Sequence, residues 1–247
     1  MIQKENGVFY TDNNLCFYDC DCYKRAKLST IMKFLAEAAG ADYTARGYAH
    51  QTLWERGMVF LLSRTNISID RMPENTETVT VTTWEHGIKA AQFIRAFELF
   101  DQQGEKIISA MTTWLLVDPS SRKILRPDAF DGKMTILADK PIDCDIPGKL
   151  RMPNEGKPME KRTIRFSDLD SNGHVYNAVY GDIVCDLLPL EVLKKPIRGF
   201  QINYQTEATL GEEIELSLAT DPEQKGAYYI EGKNPAGGNC FICKYIV

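Results

Sequence analysis

Two segments of the chain, 149 residues apart, carry the same spacing of residues. Phe17-Tyr-Asp19-Cys-Asp21-Cys-Tyr23-Lys-Arg25 lies over Phe166-Ser-Asp168-Leu-Asp170-Ser-Asn172-Gly-His174, and each copy leads into a helical pattern. A second pairing sets Asn66-Ile67-Ser-Ile69 over Gln201-Ile202-Asn-Tyr204 at an offset of 135. The smaller offset fits a longer loop after the helix, about residues 48–57, in the first copy. Self-similarity of this kind restricts the chain to a duplicated supersecondary unit.

The unit is a helix followed by strands. Leu28, Ile31, Met32, Leu35 and Ala39 recur at the three-and-four spacing of one buried helix face, with Ser29 as a candidate cap and Gly47 as a stop. Strand patterns follow at 58–70, 76–84, 91–100 and 106–117, rich in β-branched and aromatic residues. The second copy repeats the plan, with a helix over 175–188 and strands at 197–206, 212–220, 227–233 and 239–247. A helix packed on curved antiparallel strands is an α+β arrangement. Six of the eleven prolines fall between Asp118 and Pro158, which marks a connection and not a core element. The expected division is an N-terminal unit over 1–130, a linker over 131–158 and a C-terminal unit over 159–247.

Composition narrows the class of function. A chain of 247 residues with 44% hydrophobic and 26% charged residues has the balance of a globular protein, and a net charge of −5 supplies no basic field for nucleic acid. The N-terminal residues lack a basic-then-apolar leader, and no apolar run approaches the ~20 residues of a membrane helix, so the expected location is the cytoplasm. Seven cysteines without an export signal suit reduced thiols. The pairs Cys20/Cys22 and Cys240/Cys243 have no histidine nearby to complete a zinc set of about four ligands. Buried, inert thiols are the better account of both pairs. Neither metal nor cofactor is expected.

The second copy carries polar groups that the first lacks: Asn172 and His174 stand where the first has Tyr23 and Arg25. In an extended segment Asp170, Asn172 and His174 share a face, and Asn172-Gly173 signals a bend that places His174 near a helix N-terminus. Free N–H groups there suit a developing oxyanion, and a histidine suits proton transfer near neutral pH. The same residues read equally well as a helix cap beside an ordinary surface histidine. Cys185 lies eleven residues along the helix from His174, about 16 Å away, beyond the reach of a thiol–imidazole pair. With no nucleophile elbow or phosphate loop in the sequence, a water activated by a carboxylate is the favoured route.

These residues bring a resemblance with them. The string D-L-D-x-N-x-H-V-x-N at Asp168–Asn177, Trp84, Arg126-Pro127 and Tyr204-Gln-Thr-Glu207 resembles the acyl-acyl carrier protein thioesterases across nearly the whole chain. The resemblance implies two fused hotdog units, each a long helix wrapped by an antiparallel sheet. It places catalytic roles on Asp170, Asn172, His174 and Glu207, and no cofactor. Plant members set a cysteine beside the glutamate where this chain has Ala208, so a thiol route is absent at that position. It also implies that the N-terminal unit supplies much of an acyl pocket and that an acidic acyl carrier protein is the partner. Candidate landing groups are Lys157, Lys161, Arg162 and Arg165, with Lys194, Lys195 and Arg198. The resemblance leaves room for a homodimer. Acyl-coenzyme A thioesterase, hydratase or dehydratase, and non-catalytic acyl-binding module are the competing functions.

Overall fold

The computed structural model describes residues 2–247; Met1, the first residue of the expected N-terminal unit, lies outside it. In chain order the elements are β1 (Ile2–Glu5), β2 (Val8–Asn14), α1 (Leu28–Ala45), α2 (His50–Glu55), β3 (Val59–Ile69), β4 (Thr78–Lys89), β5 (Gln92–Phe100) and β6 (Lys106–Val117). After a long connection come β7 (Lys157–Thr163), α3 (Val179–Leu187), α4 (Leu190–Leu193), β8 (Gly199–Tyr204), β9 (Glu213–Thr220), β10 (Ala227–Lys233) and β11 (Asn239–Ile246). The described strands form one antiparallel sheet in the order β1-β2-β4-β5-β6-β3-β8-β11-β10-β9-β7.

That order shows the duplication. Outward from the centre, β3, β6, β5, β4 and β2 on one side answer β8, β11, β10, β9 and β7 on the other. The two copies join through β3 and β8, where Asn66 stands opposite Gln201 and Ile67 opposite Phe200. Residues 66 and 201 are the pair that the sequence places at equivalent positions, so the copies meet about a local two-fold axis.

Helix α1 buries Leu28, Ile31, Met32, Leu35, Ala38 and Ala39 on its sheet-facing side. Each large aliphatic group so buried contributes about 1.5–3 kcal/mol. The helix ends where expected: Gly47 adopts φ +84 and its N–H returns to the Thr44 carbonyl at 3.0 Å. Ser29 does not cap the start. It lies inside the helix, and its hydroxyl donates to Asp182 on α3 at 2.5 Å. The helices cross closely at Gly181, where a Cβ would lie 3.0 Å from both Met32 Sδ and Ser29 N. Side chains of α1 and α3 thereby join Ile67, Phe97, Phe200 and Phe241 in one continuous core.

The structure corrects several sequence expectations. The second helix starts at Val179 and not at residue 175, because His174 and Val175 are drawn into bridges with Thr209 and Leu169. The supposed loop at 48–57 holds α2, and β4 runs past Trp84 to Lys89 through a bulge at Glu85–Gly87. The strands β2 and β7 escape the hydrophobic pattern, since TDNN and KPMEKRT are too polar to show it. The two cysteine pairs part company: Cys22 is exposed, whereas Cys240 and Cys243 are buried, with both thiols pushed up by burial.

Candidate active site

The segment around Asp170 is a tight loop built by one carboxylate. Asp170 Oδ1 accepts the backbone N–H of Asn172 at 2.8 Å and of His174 at 3.3 Å. Asp170 N–H in turn donates to the His174 carbonyl at 2.8 Å, and Gly173 takes φ +79 to close the bend. Just upstream, Asp168 accepts the Arg165 N–H at 2.8 Å and an Arg162 guanidinium N–H at 3.0 Å. Asp170 therefore shapes the loop from below, while the Asn172 side chain stands exposed at its tip with no hydrogen-bond partner among the described residues.

Glu207 reaches this loop through backbone pairing. It follows β8, and the next residue, the buried Ala208, accepts the Val175 N–H at 3.0 Å while Thr209 bridges His174. The result brings His174 Nε2 to 3.4 Å from Glu207 Oε2, with both side chains about one-third exposed or less. Of the four expected residues, His174 and Glu207 meet side chain to side chain. Asp170 meets His174 through the loop backbone, and Asn172 is exposed at the loop tip. The start of α3 is too far along the chain to serve as the expected N–H cradle beside His174, since its first residue is Val179. The loop N–H groups of Asn172 and His174 are already taken by Asp170.

A residue not foreseen from the sequence joins the pair. Arg122, in the turn after β6, extends its guanidinium to Glu207 Oε2 at 2.6 Å. The Asp-Pro-Ser-Ser string before it signals a turn, but nothing local signals a contact 85 residues away.

Two apolar spaces lie along α1. A small gap is lined by Asn177 and Tyr204 from the C-terminal half and by Met32, Leu35, Leu62 and Trp114 from the N-terminal half. It shares Ala36 and Trp114 with a cavity of about 260 Å³ in the N-terminal half. From Met32 to Thr44 the two spaces follow α1 for about 18 Å. The cavity walls are largely Ala39, Leu53, Phe60, Phe93 and Met134, with Tyr43, Glu85 and Arg95 among the lining. These polar groups belong to a buried network. Arg95 reaches Asp42 at 2.9 Å, Arg46 bridges Asp42 at 3.0 Å and Glu85 at 2.9 Å, and the Tyr43 hydroxyl donates to Glu85 at 3.2 Å. Burial pushes the Tyr43 phenol up to about 12, so it remains a donor.

The candidate landing groups are partly spoken for. Lys161 pairs with Glu215, Arg162 with Asp168 and Lys194 with Glu191. Lys157, Arg165, Lys195 and Arg198 have no acidic partner among the described residues. No cluster of three or more His, Cys, Asp or Glu able to hold a metal occurs among the described residues. Among the described residues no helix is long and apolar enough to cross a membrane.

Comparison with known proteins places this geometry in a family. Sequence models of the acyl-ACP thioesterase N-terminal and C-terminal domains match residues 6–129 and 152–236. The chain is 24% identical to acyl-[acyl-carrier-protein] hydrolase FATB2, chloroplastic, of Cuphea viscosissima over 90% of its own length and 58% of that protein's. It is 20% identical to the chloroplastic palmitoyl-acyl carrier protein thioesterase of Arabidopsis thaliana over 83% of its length and 53% of that protein's. The chain thus spans a little over half the length of these relatives. An acyl-ACP thioesterase from Bacteroides thetaiotaomicron superposes with a TM-score of 0.89 at 26% identity, each chain covered to 98%. The 12:0-ACP thioesterase of Umbellularia californica shares the fold, with a TM-score of 0.81 at 18% identity over 99% of this chain and 98% of that one. With both domain models matched in order along the chain, this protein belongs to the acyl-ACP thioesterase family.

Proposed function

We propose that this protein hydrolyses fatty acyl thioesters of acyl carrier protein, releasing free fatty acid and the carrier thiol in fatty acid biosynthesis. The observation that carries this reading is the approach of His174 Nε2 to Glu207 Oε2 in a chain whose N-terminal half holds an apolar cavity. Family membership supplies the substrate class. We take the two copies as hotdog units over 1–130 and 159–247, joined by a linker over 131–158.

In the proposed mechanism the acyl chain enters past Leu62 and Trp114 into the cavity, leaving its thioester beside Glu207. Glu207 accepts a proton from water as the water oxygen attacks the carbonyl carbon. The Asn172 amide, free at the loop tip, donates to the carbonyl oxygen as it becomes negative. The C–S bond then breaks, and the departing sulfur takes up a proton through His174. Water is added and no redox partner is needed. Asp170 contributes by fixing the loop that presents Asn172 and His174. The acidic carrier docks where Lys157, Arg165 and Lys195 lack acidic partners.

The test is a panel of acyl carrier protein and coenzyme A thioesters from short to long chains, followed by release of free thiol. Thiol release with preference for the carrier-linked esters is the expected result. Faster turnover of coenzyme A esters would reassign the carrier. A change in an enoyl double bond without thiol release would make the protein a hydratase or dehydratase.

A further inference from the structure

We propose that Arg122, carried by the N-terminal half, is a positioning residue that holds the Glu207 carboxylate in its working orientation. The proposal rests on the hydrolase reading above and makes the site a joint product of both halves, where the sequence assigns chemistry to the C-terminal half alone.

The turn that carries Arg122 is held from several sides. Asp118 accepts the Ser120 hydroxyl and N–H at 2.8 Å each and the Ser121 N–H at 3.1 Å. These donors, led by the Ser120 hydroxyl, draw the Asp118 carboxyl down to about 2. The Arg122 N–H donates to the Asp118 carbonyl at 2.8 Å, and Val117 bridges Ile124 across the turn. Arg122 itself adopts φ +56, in the left-handed region that side chains larger than glycine rarely enter. Strained residues of this kind persist where the surrounding structure over-determines them, and they gather at functional sites.

The side chain crosses to the other half, and Nη1 lies 2.6 Å from Glu207 Oε2. The same oxygen faces His174 Nε2 at 3.4 Å. Glu207 Oε1 has no hydrogen-bond partner among the described residues. One oxygen is thus clamped and the other is open to a water within the hydrogen-bond reach a general base needs. A guanidinium 70% exposed contributes little to folding, so stability is a poor reason for the contact.

The experiment compares kcat and KM of wild type, R122A, R122K, E207Q and the R122A/E207Q double variant. Each is assayed on an acyl carrier protein thioester and on a carrier-free acyl-N-acetylcysteamine thioester, with thermal unfolding measured in parallel. R122A should lose ~10- to 100-fold in kcat on both substrates, the scale of a misplaced catalytic group, with KM and unfolding close to wild type. R122K should restore part of the loss. In the E207Q background, removing Arg122 should add little, because the two act as one unit. An R122A effect confined to KM for the carrier-linked substrate would make Arg122 a docking group and overturn the proposal. Multiplicative losses in the double variant, or an unchanged kcat in R122A, would overturn it as well. Absence of hydrolysis by wild type removes the hydrolase reading itself, whereas hydrolysis that R122A leaves intact removes only this assignment.

Discussion

In the loop at Asp21, Arg25 folds back on Asp21 at 2.8 Å and passes its guanidinium to the carbonyls of Leu193 and Lys195. In the loop at Asp170, the equivalent His174 turns toward Glu207 instead. The backbones beneath are the same. Asp21 Oδ1 accepts the Tyr23 and Arg25 N–H groups at 2.8 and 3.0 Å, as Asp170 Oδ1 accepts those of Asn172 and His174. Ala26 N–H donates to the Pro73 carbonyl just as Val175 N–H donates to that of Ala208. By that pairing the position equivalent to Glu207 is Met72, which packs against the core. Loop shape therefore belongs to both copies, and the proposed chemistry rests on the replacements Tyr23/Asn172, Arg25/His174 and Met72/Glu207.

The sharpest way to break this comparison is to remove the differing side chains one copy at a time. H174A should lose ~100- to 10,000-fold in kcat/KM for an acyl carrier protein thioester, the range for loss of a general acid or base. R25A, its counterpart, should keep turnover and lower the unfolding midpoint, since it loses contacts with α4 and not with the substrate. Equal losses from the two would end the asymmetry.

The cavity network comes next. R95M removes a guanidinium that is 5% exposed and reaches the buried carboxylates of Asp42 and Glu85. Breaking a buried ion-pair set in this way should cost about 3–5 kcal/mol in denaturant unfolding. A smaller change of under about 1 kcal/mol, the scale of an exposed pair, would show that the network is solvated from the cavity.

The shared carboxylates separate shape from chemistry. D21A and D170A should each destabilise by about 1 kcal/mol, as loss of an N-cap carboxylate does. Only D170A should also slow turnover, by ~10- to 100-fold, because it releases the loop that aims His174.

The smallest effect concerns pH. Burial raises the Asp182 carboxyl, and the Ser29 hydroxyl offsets this only in part. A raised folded value means that the residue's contribution is fully present below its unfolded value and is lost as pH rises through the folded one. D182N should flatten the unfolding midpoint across that mildly acidic window and leave it unchanged below it.

Much of this arrangement is legible in the sequence because it is written in local pattern. The buried face of α1, its stop at Gly47 and the strand periodicity from β3 to β6 need no knowledge of the rest of the chain. The duplicated F-x-D-x-D spacing is legible for the same reason, since each aspartate bonds its own loop. What is not legible depends on meetings between distant segments. The start of α3 is delayed because Val175 pairs with Ala208, and Ser29 becomes a donor to Asp182 and not a cap. Glu85, Arg95 and Asp42 look like surface charges until three elements bury them together. Arg122 reads as a turn residue until the two halves close on each other.

Glu207 is the residue on which the proposed hydrolysis most directly depends. Hydrolysis of an acyl carrier protein thioester by E207Q, with unfolding monitored alongside, should show a loss of ~100- to 10,000-fold in kcat with the folded state intact. Turnover by folded E207Q near the wild-type rate would contradict the claim that this carboxylate activates the attacking water.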